Sequence, residues 1–155
     1  MTLTLVAILL LGAQTQTSNP LSADLKKSYA EIESNILRSA ENMPEENYGF
    51  RPAPRVRTFG EILGHIAQEQ YLYFCGPVRG EQKAVDIEKT KTSKADLTAA
   101  LKESFAYCDV AYDQMTDKGN LTLLWKNVLH DGEHYGNLVT YLRIKGIVPP
   151  STEGQ

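Results

Sequence analysis

Apolar residues recur at intervals of three and four between Leu21 and Met43, through Leu25, Tyr29, Ile32, Ile36 and Leu37. That period gathers them on one face of a helix, whereas a strand would need alternation. Pro44 and the stretch Gly49-Phe50-Arg51-Pro52-Ala53-Pro54 then stop the pattern, because proline lacks the amide donor and restricts the residue before it. Thr58 with Glu61 three residues later has the form of a capping box, predicting a second helix from about Thr58 to Cys75, closed by Gly76-Pro77. Residues 76–92 are polar and without period, and they are long for a turn between antiparallel neighbours. Ser93 and Asp96 repeat the capping logic, and Leu97, Leu101, Ser104, Phe105, Cys108 and Tyr112 mark a third helix to about Met115. Gly119-Asn120 predicts a turn, and a last helical pattern runs from about Leu121 to Gly146, with Pro149-Pro150 beyond. No segment has a strand pattern. Four helices with one long middle connection predict an all-α chain, a four-helix bundle with a long crossover between the second and third helices.

The 155 residues, 42% hydrophobic and 23% charged, suit one globular domain. A net charge of −3 with scattered basic residues gives no attraction to nucleic acid. Leu3 to Leu11 form an apolar run of signal-peptide length, too short for a stable membrane span. Residues 1–20 are therefore expected to be a signal peptide or a disordered apolar tail, followed by the helical domain over 21–150 and a tail over 151–155. A signal would export the protein to a periplasmic or extracellular space; without one it is cytoplasmic. No Lys or Arg precedes the run, and a cut after Ala13 would put Leu11 where a small residue is usual. Cys75 and Cys108 are an even pair that an oxidising compartment would permit to join, yet neither lies in a CxxC motif, and free, partly buried thiols are the preferred reading.

The chain has three histidines. His130 and His134 are four apart in the last helix, so their rings share a face about 6 Å apart along the axis. Asn127, Asn137 and Tyr141 fall on the same stripe, bordering the apolar face of Leu124, Val128, Leu138 and Leu142. On the second helix His65 and Glu69 are four apart, beside Ile62, Ile66 and Tyr73 on the side expected to be buried. If these two helices face each other, His65, His130 and His134 form a three-imidazole set for one divalent transition metal, Zn, Ni or Fe. Three ligands leave a position open for water or substrate. Spacing alone is a weak signal, since paired histidines on a helix face are often only solvated. Glu69, Asp131 and Glu133 are candidate partners for the outer ring nitrogens. Gly132 and Gly136 read as points of close helix packing, and Arg51, Arg55 and Arg57 read as a solvated loop.

LGHIAQEQYLYF, around His65, and LHDGEHYGNLVTYLRIKGIVPP, around His130 and His134, resemble the histidine helices of the DinB-like family over roughly Leu21 to Pro150. That family often has Arg after the last histidine and Gln two further on, where this chain has Tyr135 and Asn137. The resemblance implies an up-down-down-up bundle, often a homodimer, with His65, His130 and His134 as metal ligands. It also implies a function: the ion at its open site would lower the pKa of a thiol or water and present it as a nucleophile. The expected protein is thus a metal-dependent enzyme, a thiol-dependent transferase or a metal-water hydrolase acting on a small molecule. The alternative is a non-catalytic metal-binding or stress-response protein. Low-molecular-weight thiols are cytosolic, so export would favour hydrolysis or binding over thiol transfer.

Overall fold

The helical periods of the sequence become α1 (Pro20–Asn42), α2 (Phe59–Glu69), α3 (Cys75–Val78), α4 (Ile87–Thr90), α5 (Lys94–Gln114) and α6 (Thr122–Ile144). This computed structural model describes residues 19–81 and 83–154, and among them the regular structure is all helical. The apolar run Leu3–Leu11 lies outside the described residues. Among them no helix is long and apolar enough to cross a membrane.

Local chemistry accounts for the helix ends. The Thr58 hydroxyl accepts the Glu61 amide at 3.1 Å while the Glu61 carboxylate accepts the Thr58 amide at 2.6 Å, so the capping box is complete. The Ser93 hydroxyl accepts the Asp96 amide at 3.1 Å at the start of α5. Gly146, at φ 73°, turns the chain out of α6 in a left-handed conformation that a side chain would disfavour. The amides of Gly146 and Ile147 there close onto the carbonyls of Arg143 and Leu142, using groups that would otherwise be orphaned.

The second helix departs from expectation at its far end. It does not stop at Gly76-Pro77 but passes through a π-helical turn, Gln70–Phe74, into α3. A Cβ on Gly76 would stand 1.9 Å from the Tyr71 carbonyl oxygen, so only glycine fits that turn. The wider turn shifts the helical phase. Tyr73, expected on the buried side, is 59% exposed, while Gln70 and Cys75 are buried. The crossover also has structure: α4 lies against α2, and a Cβ on Gly64 would come within 3.0 Å of the Glu88 Cα. Gly64 thereby lets α4 approach the helix that carries His65.

The core lies between the four long helices. Leu25, Tyr29 and Ile36 of α1 meet Leu97, Leu101, Phe105 and Tyr112 of α5, Ile62, Leu63 and Ile66 of α2, and Leu124, Leu138 and Leu142 of α6, all buried. Leu21, first in the sequence stripe, is 65% exposed at the helix end. Tyr29 stacks on Tyr112 with centroids 3.8 Å apart and donates its hydroxyl to the Phe105 carbonyl at 3.0 Å. Between α1 and α5 the pairing descends: the Ser22 hydroxyl donates to Asp117, Tyr29 meets Phe105, and Lys94 reaches the Glu41 and Met43 carbonyls. Between α2 and α5 it ascends, from Gly60 on Leu97 to Cys75 on Cys108. Between α2 and α6 it descends, from the Arg57 carbonyl on Tyr141 to Phe74 on His130.

Cys75 and Cys108 are joined in a disulfide, with Cα atoms 5.3 Å apart, so the reading of free thiols is corrected. Both residues are buried, and Cys75 reaches Cys108 because the π-helical turn extends the helix beyond its expected phase. The expected C-terminal tail is tied down as well: Glu153 pairs with Arg38 and accepts from Asn42, and the Tyr135 hydroxyl accepts the Ser151 amide at 2.9 Å.

Gly132 and Gly136 do not serve close packing within the chain, because a Cβ at either would meet nothing within 4 Å. Each change to alanine is therefore expected to stabilise α6 by about 0.5–1 kcal/mol in the isolated chain, by lowering the entropy lost on helix formation. Chemical denaturation of the two single variants measures this. A loss of stability would mean that a second surface packs on these glycines.

Candidate metal centre

His65, in the middle of α2, and His130 and His134, one turn apart on α6, converge. Their ring centroids lie 4.5–5.1 Å apart, and one ligand atom from each falls within 4.8 Å of the others. The site is semi-enclosed: the His65 and His130 side chains are 14% and 18% exposed. Phe74, carried by the π-helical turn, covers one side with its ring 5.0 Å from that of His130.

The orientation of the rings is as informative as their proximity. Nδ1 of His65 faces the Glu88 carboxylate at 3.1 Å, and Nδ1 of His130 faces Asp131 at 3.3 Å. Each pairing turns Nε2 inward, and the two Nε2 atoms stand 3.2 Å apart. Two nitrogens each about 2.0–2.1 Å from a shared tetrahedral ion would be about 3.3–3.4 Å apart. An outer carboxylate on Nδ1 with Nε2 left for metal is how proteins fix the tautomer of a ligating histidine. Asn137 approaches Nδ1 of His134 at 3.5 Å, the limit of a hydrogen bond. The donor set, three imidazoles without thiolate, suits a divalent transition ion.

Electrostatics keep the lone pairs available. Burial lowers the His65 pKa, helped by the Arg57 charge, and burial pushes His134 down to about 4, helped by the charges of His130 and His65. Burial opposes ionisation of Glu88, but the Arg57 hydrogen bond at 2.7 Å and its charge, with His65, hold the carboxyl below its usual range. Burial raises Asp131 to about 6 against the pull of His130. Its second oxygen, like the Asn127 amide oxygen, has no partner among the described residues.

Several sequence expectations are redistributed by this geometry. Glu69 stands 3.8 Å from His65, and Glu88 takes the nearer place. Nothing in the sequence marks Glu88 except its acidic character within a polar crossover. Asp131 takes the expected place beside His130, while Glu133 is exposed on the neighbouring cleft. Asn127 turns to the core, donating to the Tyr112 hydroxyl at 3.2 Å, and Tyr141 donates to the Arg57 carbonyl at 2.8 Å. Arg51, Arg55 and Arg57 are more than a solvated loop: with His134 they line a cleft of roughly 770 Å³. Glu88→Gln is expected to weaken metal binding by about 10–100-fold, the usual effect of losing an outer carboxylate. Competition titration against a chelator measures it, and unchanged affinity would remove Glu88 from the site.

Among the described residues all regular structure is helical, and two of its helices bring together three imidazoles, two of them backed by carboxylates, in a cluster that could hold a metal ion. The family model of the DinB superfamily matches residues 29–139, a span that includes all three histidines, and the chain belongs to that superfamily. No curated protein matches the chain.

Proposed function

We propose that His65, His130 and His134 bind one divalent metal ion and that the protein is a metal-dependent enzyme, hydrolysis by activated water being favoured over thiol transfer. The observation that carries this reading is the inward convergence of three imidazoles whose third member, His134, also lines the cleft. An ion held there would supply Lewis acidity, lowering the pKa of a water or thiol at its open position. The chain's own part is to orient and to exclude. Glu88 and Asp131 hold two rings by their outer nitrogens, Arg57 holds Glu88, and Phe74 shields His130 from solvent.

An up-down-down-up bundle fits the descending, ascending and descending pairings of the long helices. Export, with a signal built on the apolar run Leu3–Leu11, fits the Cys75–Cys108 disulfide, because such bonds persist in oxidising compartments. The same argument ranks hydrolysis above chemistry that needs a cytosolic thiol. A homodimer through α6 fits the exposed Trp125 and Leu129, at 55% and 58%, beside the open Gly132 and Gly136.

The test is zinc-dependent turnover of 4-nitrophenyl acetate by untagged protein, with metal-free protein and His134→Ala as controls. Turnover that requires both the ion and His134 supports the enzyme. A metal-loaded protein no faster than its metal-free form on ester, amide and phosphodiester substrates would favour the non-catalytic metal-binding reading.

A further inference from the structure

The cleft beside His134 is lined by six charged side chains, Arg51, Arg55, Arg57, Glu61, Glu88 and Glu133. Four of them neutralise one another: Arg51 meets Glu61 at 3.4 Å, and Arg57 meets Glu88 at 2.7 Å. Arg55 and Glu133 are exposed, line the same cleft, and form no ion pair or hydrogen bond with any described residue. Internal pairing therefore leaves one cation and one anion facing whatever enters.

We infer that the cleft selects a small zwitterion, an amino-acid-like molecule with its carboxylate at Arg55, its ammonium at Glu133 and its third group toward His134. This rests on the reading of the three histidines as an open metal site. A simple anion would meet repulsion from Glu133 and a simple cation repulsion from Arg55, whereas a molecule carrying both charges satisfies each. Arg55 offers a planar fork of donors matched to a carboxylate, while Glu133 presents acceptor oxygens to an ammonium. Asn137 and Thr140, also on the cleft wall, add neutral hydrogen-bonding groups.

Four small thiols test the inference, because sulfur binding to cobalt gives an absorption band independent of turnover. Cobalt-loaded protein is titrated with cysteine (both charges), 3-mercaptopropionate (anion only), cysteamine (cation only) and 2-mercaptoethanol (uncharged). The two cysteines of the protein are buried and joined to each other, so the thiol probes report on the metal site. The variants Arg55→Met and Glu133→Gln carry the decision, since a ligand's own chelating power is the same in wild type and variant. Each variant is expected to weaken cysteine binding on the order of tenfold, the scale of one charge-assisted contact. Binding of 2-mercaptoethanol should stay unchanged in both. Cysteine affinity equal in wild type and both variants, with 2-mercaptoethanol still bound, would overturn the zwitterion while leaving the open metal site standing. Failure of all four thiols to produce the band in wild type would overturn both.

Discussion

Protein carrying His130→Ala is expected to lose its metal, falling from about one ion per chain to near none after dialysis, because three neutral ligands fix the ion and two leave it exchangeable. The same change has a second effect. Asp131 is fully buried, its only side-chain partner among the described residues is the His130 ring, and its other oxygen has none. Removing the ring leaves a buried carboxyl without a partner, which costs about 1–3 kcal/mol even if the group takes up a proton. His134→Ala separates the two effects. It should empty the site equally while sparing the Asp131 contact, so metal content falls without the same loss of stability. Elemental analysis and denaturation of both variants read the two outcomes. Retention of metal by either variant would remove that histidine from the site.

The disulfide carries the next largest effect. Cys75 and Cys108 are 33 residues apart, and their bond ties the end of the second helical segment to the middle of α5. Restricting a loop of that length in the unfolded chain is worth about 3–4 kcal/mol in the chain-entropy account. The double variant Cys75→Ala with Cys108→Ala is expected to melt roughly 10 °C lower than the parent. It should retain its metal, because no ligand lies on the cysteines. An unchanged melting temperature, in the variant or on full reduction of the parent, would mean that the bond contributes little to the fold.

Much of the fold is written in local patterns. The period of three and four in α1, α5 and α6, the Thr58–Glu61 box and the Gly146 exit are short-range matters of helix geometry, and each is found where the sequence predicts it. The three histidines were legible for the same reason. Two share a helix face, and the third sits on a helix whose inward side its apolar neighbours define.

What the sequence conceals is contact across distance. Glu88 lies 23 residues from His65 and reaches it only because Gly64 admits the backbone of α4. The cysteine pair depends on how two helices dock and on a π-helical turn that no hydrophobic period announces. Asn127 illustrates the limit of a helical wheel. It lies about 60° round from His130, on the side of Asp131, so it borders both the site and the core, and the hydroxyl of Tyr112 on α5 decides which way it turns. The arginines at 51, 55 and 57 likewise resemble any solvated loop until Tyr141 anchors the Arg57 carbonyl and gathers them over His134.

X-ray absorption at the metal edge of untagged, metal-loaded protein tests the central claim most directly. Three imidazole nitrogens at about 2.0–2.1 Å, with the remaining position filled by a light atom and no sulfur, is the expected shell for zinc. Fewer than three imidazoles, or a sulfur ligand, would contradict a centre built from His65, His130 and His134.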